Sequence, residues 1–85
     1  MGMNLYQITD QEIRDTLINS TETITSPEDQ DIHLSYRLLR RDNKRHATEY
    51  LLLVHTDKRQ KVINIITMYI ISIRRLRRHG FIVDQ

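Results

Sequence analysis

The spacing of apolar positions changes along this chain, and the changes mark its elements. Toward the C-terminus Val62, Ile66, Tyr69, Ile73 and Leu76 recur at helical intervals. At ~100° per residue they share one narrow arc, which Ile63, Ile65 and Ile70 broaden into a stripe wide enough to face a core. The spacing predicts a long helix over residues 57–80, capped by Thr56 or Asp57. Arg and His fill its last turn, Gly80 follows as the left-handed residue, and Phe81 is placed to touch Leu76 in a Schellman motif. The opposite face carries Gln60, Asn64, Thr67, Ile71, Arg74, Arg75 and Arg78.

Earlier in the chain, Tyr6 and Ile8 alternate as in a short strand over residues 4–8. Thr9 with Glu12 forms a capping box and Ile8 with Ile13 a hydrophobic staple, so a helix begins at Asp10 on a thin stripe of Ile13, Leu17 and Ile18. It ends before Pro27, or earlier in the Ser and Thr residues of 20–25. Residues 26–39 have two readings. Ser26-Pro27-Glu28-Asp29 suits a helix start. Ile32, Leu34, Tyr36 and Leu38 alternate without a miss, however, and a second β-rich run at 48–55 follows a polar turn, so a hairpin over 32–55 is preferred. Centred on Asn43-Lys44, it sets Leu34 against Leu53, Tyr36 against Leu51 and Leu38 against Glu49 on the core side. The other side pairs Ser35 with Leu52, Arg37 with Tyr50, Leu39 with Thr48 and Arg41 with His46. With 81–83 as a last short strand the order is β-α-β-β-α-β. This is an α+β fold: a small antiparallel sheet with a central hairpin and two helices on one face, in the order of a ferredoxin-like sandwich. An α-β-β-α unit is the alternative.

Eighty-five residues fit one domain, with Met1 and Gly2 ahead of Met3 reading as a cloning remnant. The longest uncharged run, 62–73, is too short to span a membrane, and the lack of cysteine suits a reducing cytoplasm. A net charge of +2 conceals a split: residues 1–31 hold seven acids and one base, net −6, whereas 32–85 hold twelve bases and four acids, net +8. Twelve Ile and one Ala look like AT-rich coding, in which Lys is the favoured cation, yet Arg outnumbers Lys ten to three. Arg is the better fork for phosphate and the better stacker on bases, so the excess points to nucleic acid.

The four histidines are scattered, no Gly-rich phosphate loop or nucleophile elbow occurs, and Glu28, Asp29 and Asp31 read as an acidic loop. Neither an enzyme, a metal nor a cofactor is expected. Two basic clusters, Arg40-Arg41-Lys44-Arg45-His46 and Arg74-Arg75-Arg78, would track the phosphates of single-stranded or structured RNA with little sequence preference. Arg37 would add a contact and Tyr50 beside it a stacking platform. The rival class is a protein partner or a homodimer, held by an apolar patch of Leu39, Leu52, Met68 and Ile71.

In length, Ile-rich composition, absence of cysteine and split charge, and in the stretches NLYQITDQEIRDTL and RRLRRHG, the chain resembles the small accessory proteins of T4-type phages. That group includes the RNA-binding inhibitor of the ToxN endoribonuclease toxin and the cytoplasmic antiholin of lysis inhibition. The first resemblance implies an antidote in the host cytoplasm that engages RNA and a host ribonuclease together; the second implies a purely protein partner.

Overall fold

The computed structural model describes residues 8–39 and 48–83. Helix α1 (Asp10–Ile18) opens on the expected capping box, with the Thr9 hydroxyl accepting from the Glu12 amide at 3.1 Å and the Glu12 carboxylate accepting from the Thr9 amide at 2.9 Å. Ile8 is buried in a cluster on which Ile13 also packs, the placement that a staple requires. The helix stops at Ile18, which stays exposed, because the Thr-rich run beyond it is β-branched and enters the sheet as β1 (Glu22–Thr25).

Three further strands follow: β2 (Ile32–Leu39), β3 (Glu49–Thr56) and β4 (Ile65–Ile71). They form one antiparallel sheet in the order β1-β2-β3-β4, and helix α2 (Ile73–Arg78) comes last. The α+β class, the small antiparallel sheet and its central hairpin are as expected, and residues 26–31 form the acidic loop. Among the described residues the chain order is α-β-β-β-β-α and residues 81–83 add no strand, while the strand expected over 4–8 lies, apart from Ile8, outside the described residues.

The expected long helix over 57–80 is replaced by a loop, β4 and the six-residue α2. Eight of the twelve residues from Val62 to Ile73 are β-branched. Such side chains lose χ1 freedom in a helix and pack well on a pleated surface. Val62, Ile66 and Tyr69, which the helical stripe would bury, are 67%, 53% and 45% exposed. Ile66 is the extra residue of a bulge, since Val54 faces Thr67 and His55 faces Ile65.

The β2–β3 register is shifted by one residue from the expected one. Leu34 faces Val54, Tyr36 faces Leu52 and Leu38 faces Tyr50, while Ser35 faces Leu53 and Arg37 faces Leu51. A one-residue slip exchanges the faces of a strand. Here the slip is tolerated because Tyr50 to Leu53 are all buried, with an apolar cluster on each side. One cluster unites Leu34, Tyr36, Tyr50, Leu52 and Ile71 with Leu76 of α2 and Phe81. The other unites Leu39, Leu51 and Leu53 with Ile8, and Ile13 and Leu17 of α1 pack on it. The two helices therefore cover opposite faces of the sheet, not one, because β3 is apolar on both sides. No helix of the described residues is long and apolar enough to cross a membrane.

Candidate nucleic-acid interface

Six residues make too short a helix to persist alone; α2 is held at both ends. Ser72 caps its start, its hydroxyl facing the Arg75 amide at 3.5 Å. At its end the Phe81 amide donates to the Leu76 carbonyl at 3.3 Å and the Gly80 amide to the Arg77 carbonyl at 3.1 Å. These are the two bonds of a Schellman motif, with Gly80 at φ 102° and the side chains of Leu76 and Phe81 meeting in the core, as the sequence indicated. Phe81 also packs edge-on against Tyr36 at 4.7 Å between ring centres.

With Leu76 fixed inward, helical geometry points Arg74 and Arg78 directly away from the sheet and puts Arg75 and Arg77 on the flanks. Arg74, Arg75 and Arg78 are exposed, and among the described residues none is their ion-pair partner. Arg77 turns back instead, donating to the Val83 carbonyl at 3.3 Å. Three guanidinium groups thus share a convex surface. Arg74 and Arg78, one turn apart, repel each other by a few tenths of a kcal/mol.

The other expected contacts separate. Arg40, Arg41, Lys44, Arg45 and His46 lie outside the described residues. Arg37 lies on the α1 side of the sheet, where its guanidinium donates to the Asn19 carbonyl at 2.7 Å. It lines an opening of about 190 Å³ together with Glu12 and Asp15, a lining that disfavours phosphate. Tyr50 is on the opposite face from Arg37 and is buried edge-on against Tyr36 at 5.8 Å, so no base can stack on it. The apolar patch is also corrected. Leu39, Leu52 and Ile71 are buried, and the half-buried Met68 packs on the α1-side cluster, because a sheet apolar on both faces turns all four inward.

A polar constellation that sequence reasoning missed lies beside the α1-side cluster. The Ser35 hydroxyl is 2.7 Å from His55 Nε2 and 2.7 Å from the Thr23 hydroxyl. Lys58 Nζ donates to the Thr23 and Ser20 hydroxyls at 2.9 and 2.8 Å. His55 Nδ1 lies 2.5 Å from the Thr56 carbonyl. A carbonyl only accepts, so Nδ1 carries the proton and Nε2 accepts from Ser35. Ser35 then accepts from Thr23, and Thr23 from Lys58. The chain of hydrogen bonds has one direction, from the Lys58 ammonium to the Thr56 carbonyl. Burial pushes the His55 imidazole below its ordinary value, opposed by the bond to Thr56 and reinforced by Lys58 and the stacked His33. Burial likewise pushes the Lys58 ammonium down.

A serine beside a histidine invites a catalytic reading. Ser35 and His55, however, have no exposed surface, so no substrate reaches the hydroxyl. The arrangement instead satisfies polar groups inside the fold. Nor does any group of three His, Cys, Asp or Glu side chains converge among the described residues. Family models, curated proteins and solved structures contain no match to this chain.

Proposed function

We propose that this chain is a non-enzymatic RNA-binding protein of the cytoplasm that holds phosphates through Arg74, Arg75 and Arg78, with little sequence preference. The observation that carries the reading is a six-residue helix, anchored by Leu76, that presents these three arginines outward with no described ion-pair partner. Arginine forks match phosphate oxygens, and phosphate contacts position a ligand without reading its bases. A protein-only partner has less support, since the side chains that would have formed its apolar patch are turned into the core.

The test is fluorescence anisotropy with a labelled single-stranded RNA, an RNA hairpin and duplex DNA at several salt concentrations. Binding should weaken steeply with salt, and the triple variant Arg74→Gln/Arg75→Gln/Arg78→Gln should lower the slope of log K against log[salt] by ~2 to 3, at ~0.7 to 0.9 per lost contact. Absence of binding at ~50 mM salt, or a triple variant that binds like the parent, would overturn the reading. A regulatory role, restraint of a host ribonuclease toxin by the RNA-bound chain, rests on the phage resemblance. It requires that cleavage by such a toxin fall on adding the parent chain but not the triple variant.

A further inference from the structure

The segments that flank the two edges of the sheet carry opposite charge. β1 forms one edge and β4 the other, and no described residue pairs with the outer side of either. From Glu22 to Asp31 the β1 edge and its loop hold Glu22, Glu28, Asp29 and Asp31 and no base. From Gln60 to Val83 the β4 side holds five bases and no acid; of the bases just before it, Lys58 reaches across to Thr23 of β1 and Arg59 is paired with Asp57. Within that side β4 itself is uncharged, with Ile66 and Tyr69 exposed. Unpaired edges are normally blunted by an inward charge, a proline or a covering element. Beyond the bulge at Ile66, β4 has none of these among the described residues.

We propose that a second copy of this chain adds its β1 edge to β4, giving head-to-tail self-association independent of nucleic-acid binding. Topology favours the pairing. In an up-and-down meander of four strands the first and last run in opposite directions, so β4 meets the β1 of the next copy antiparallel, as every pair within the sheet does.

Charge favours the same partner. Facing residues form continuous rows, Glu22–Tyr36–Leu52–Tyr69 and Thr25–His33–His55–Ile65. The acidic loop of 26–31 and the basic loop of 57–64 therefore leave the sheet at the same end. A second copy aligned row by row sets its exposed Glu28, Asp29 and Asp31 beside Lys61 of the first. Its Glu22 comes toward the end of β4 that leads into Arg74 and Arg75. Pairing two β4 strands about a two-fold axis would bring together flanking segments of like charge. Each added copy turns the sheet by four strands at roughly 20° each, so the contact does not close on itself.

Sedimentation of nuclease-treated protein, free of nucleic acid by its absorbance ratio, tests this. At ~20 mM salt the weight-average mass should rise with concentration without a plateau, and at ~500 mM, where the Debye length is a few ångströms, it should fall to the monomer. Glu28→Lys/Asp29→Lys/Asp31→Lys makes the segments flanking both edges basic, and Gln60→Glu/Lys61→Glu makes the β4 side acidic where the loops meet. Each alone should lose self-association, and an equal mixture should regain it as a complex of the two. Ile66→Asp, which changes one exposed edge side chain, should also remove it with the circular dichroism unchanged. A monomer at every concentration in low salt would overturn the proposal. So would a discrete dimer indifferent to the acidic-loop variant, which would assign the edge to two-fold β4 pairing.

Discussion

Replacing Ser35 by alanine removes one hydroxyl from an interior that has no water-exposed surface at either Ser35 or His55. The magnitude follows from what is left behind. His55 Nε2 loses its donor at 2.7 Å and stays buried, while Thr23, which is exposed, replaces its lost partner with water. One unsatisfied buried acceptor costs ~1 to 3 kcal/mol. For 85 residues a total stability of roughly 4 to 13 kcal/mol is expected, so Ser35→Ala takes a large share. Urea unfolding followed by circular dichroism should show the midpoint falling by about 1 M with an unchanged slope. Thr25→Ala, at an exposed position of β1, serves as the control and should stay within about 0.5 kcal/mol of the parent. A shift for Ser35→Ala no larger than the control's would refute the network as a source of stability. The direction of the chain has its own check, since nitrogen NMR of the imidazole must find the proton on Nδ1. The other tautomer would refute the assignment of Ser35 as donor.

The same histidine sets an acid limit. Its folded value lies below its ordinary one, through burial first, with Lys58 and His33 adding and the Thr56 carbonyl and Asp57 opposing. The unfolded chain then binds the extra proton first, so stability is complete above about pH 6.5 and declines as pH falls below it, by at most ~1.4 kcal/mol per pH unit. Urea midpoints that are flat between about pH 7.5 and 5.5 would contradict this. The redrawn core makes a contrast of two truncations. Leu52→Ala, at a side chain with no exposed surface, should cost ~2 to 5 kcal/mol, whereas Ile66→Ala, on a half-exposed bulge, should cost under about 1 kcal/mol in the same urea assay. Equal costs would restore the helical reading of 57–80.

What could be read from the residues was what local chemistry decides. The Thr9–Glu12 box and the Leu76-Gly80-Phe81 ending each depend on side chains within five positions, and both stand as expected. β4 could not be read in that way. When both faces of a strand meet apolar neighbours, its run of Ile satisfies a helical period as easily as an alternating one, and periodicity alone does not separate them. The β-branched content of Val62 to Ile73, and Ser72 as a cap within the supposed helix, were the signals that did. Continuous burial from Tyr50 to Leu53 likewise left the hairpin register open. The polar chain was out of reach for another reason: Ser20 and Lys58 are 38 residues apart, and only the sheet brings them together.

The same facts separate charge from fold at the arginine surface. In a helix of six residues, intrinsic propensity supplies little, and α2 exists because Leu76 and Phe81 enter the core and Gly80 accepts a φ of 102°. None of those three tasks falls to Arg74, Arg75 or Arg78, whose side chains end in solvent. A cation in the last turn favours a helix by 0.3 to about 1 kcal/mol, but the repulsion between Arg74 and Arg78 offsets part of that. Glutamine keeps nearly the same helix propensity. The triple glutamine variant should therefore keep its fold while it loses phosphate contacts, so weakened RNA binding by that variant would report on the surface and not on the core.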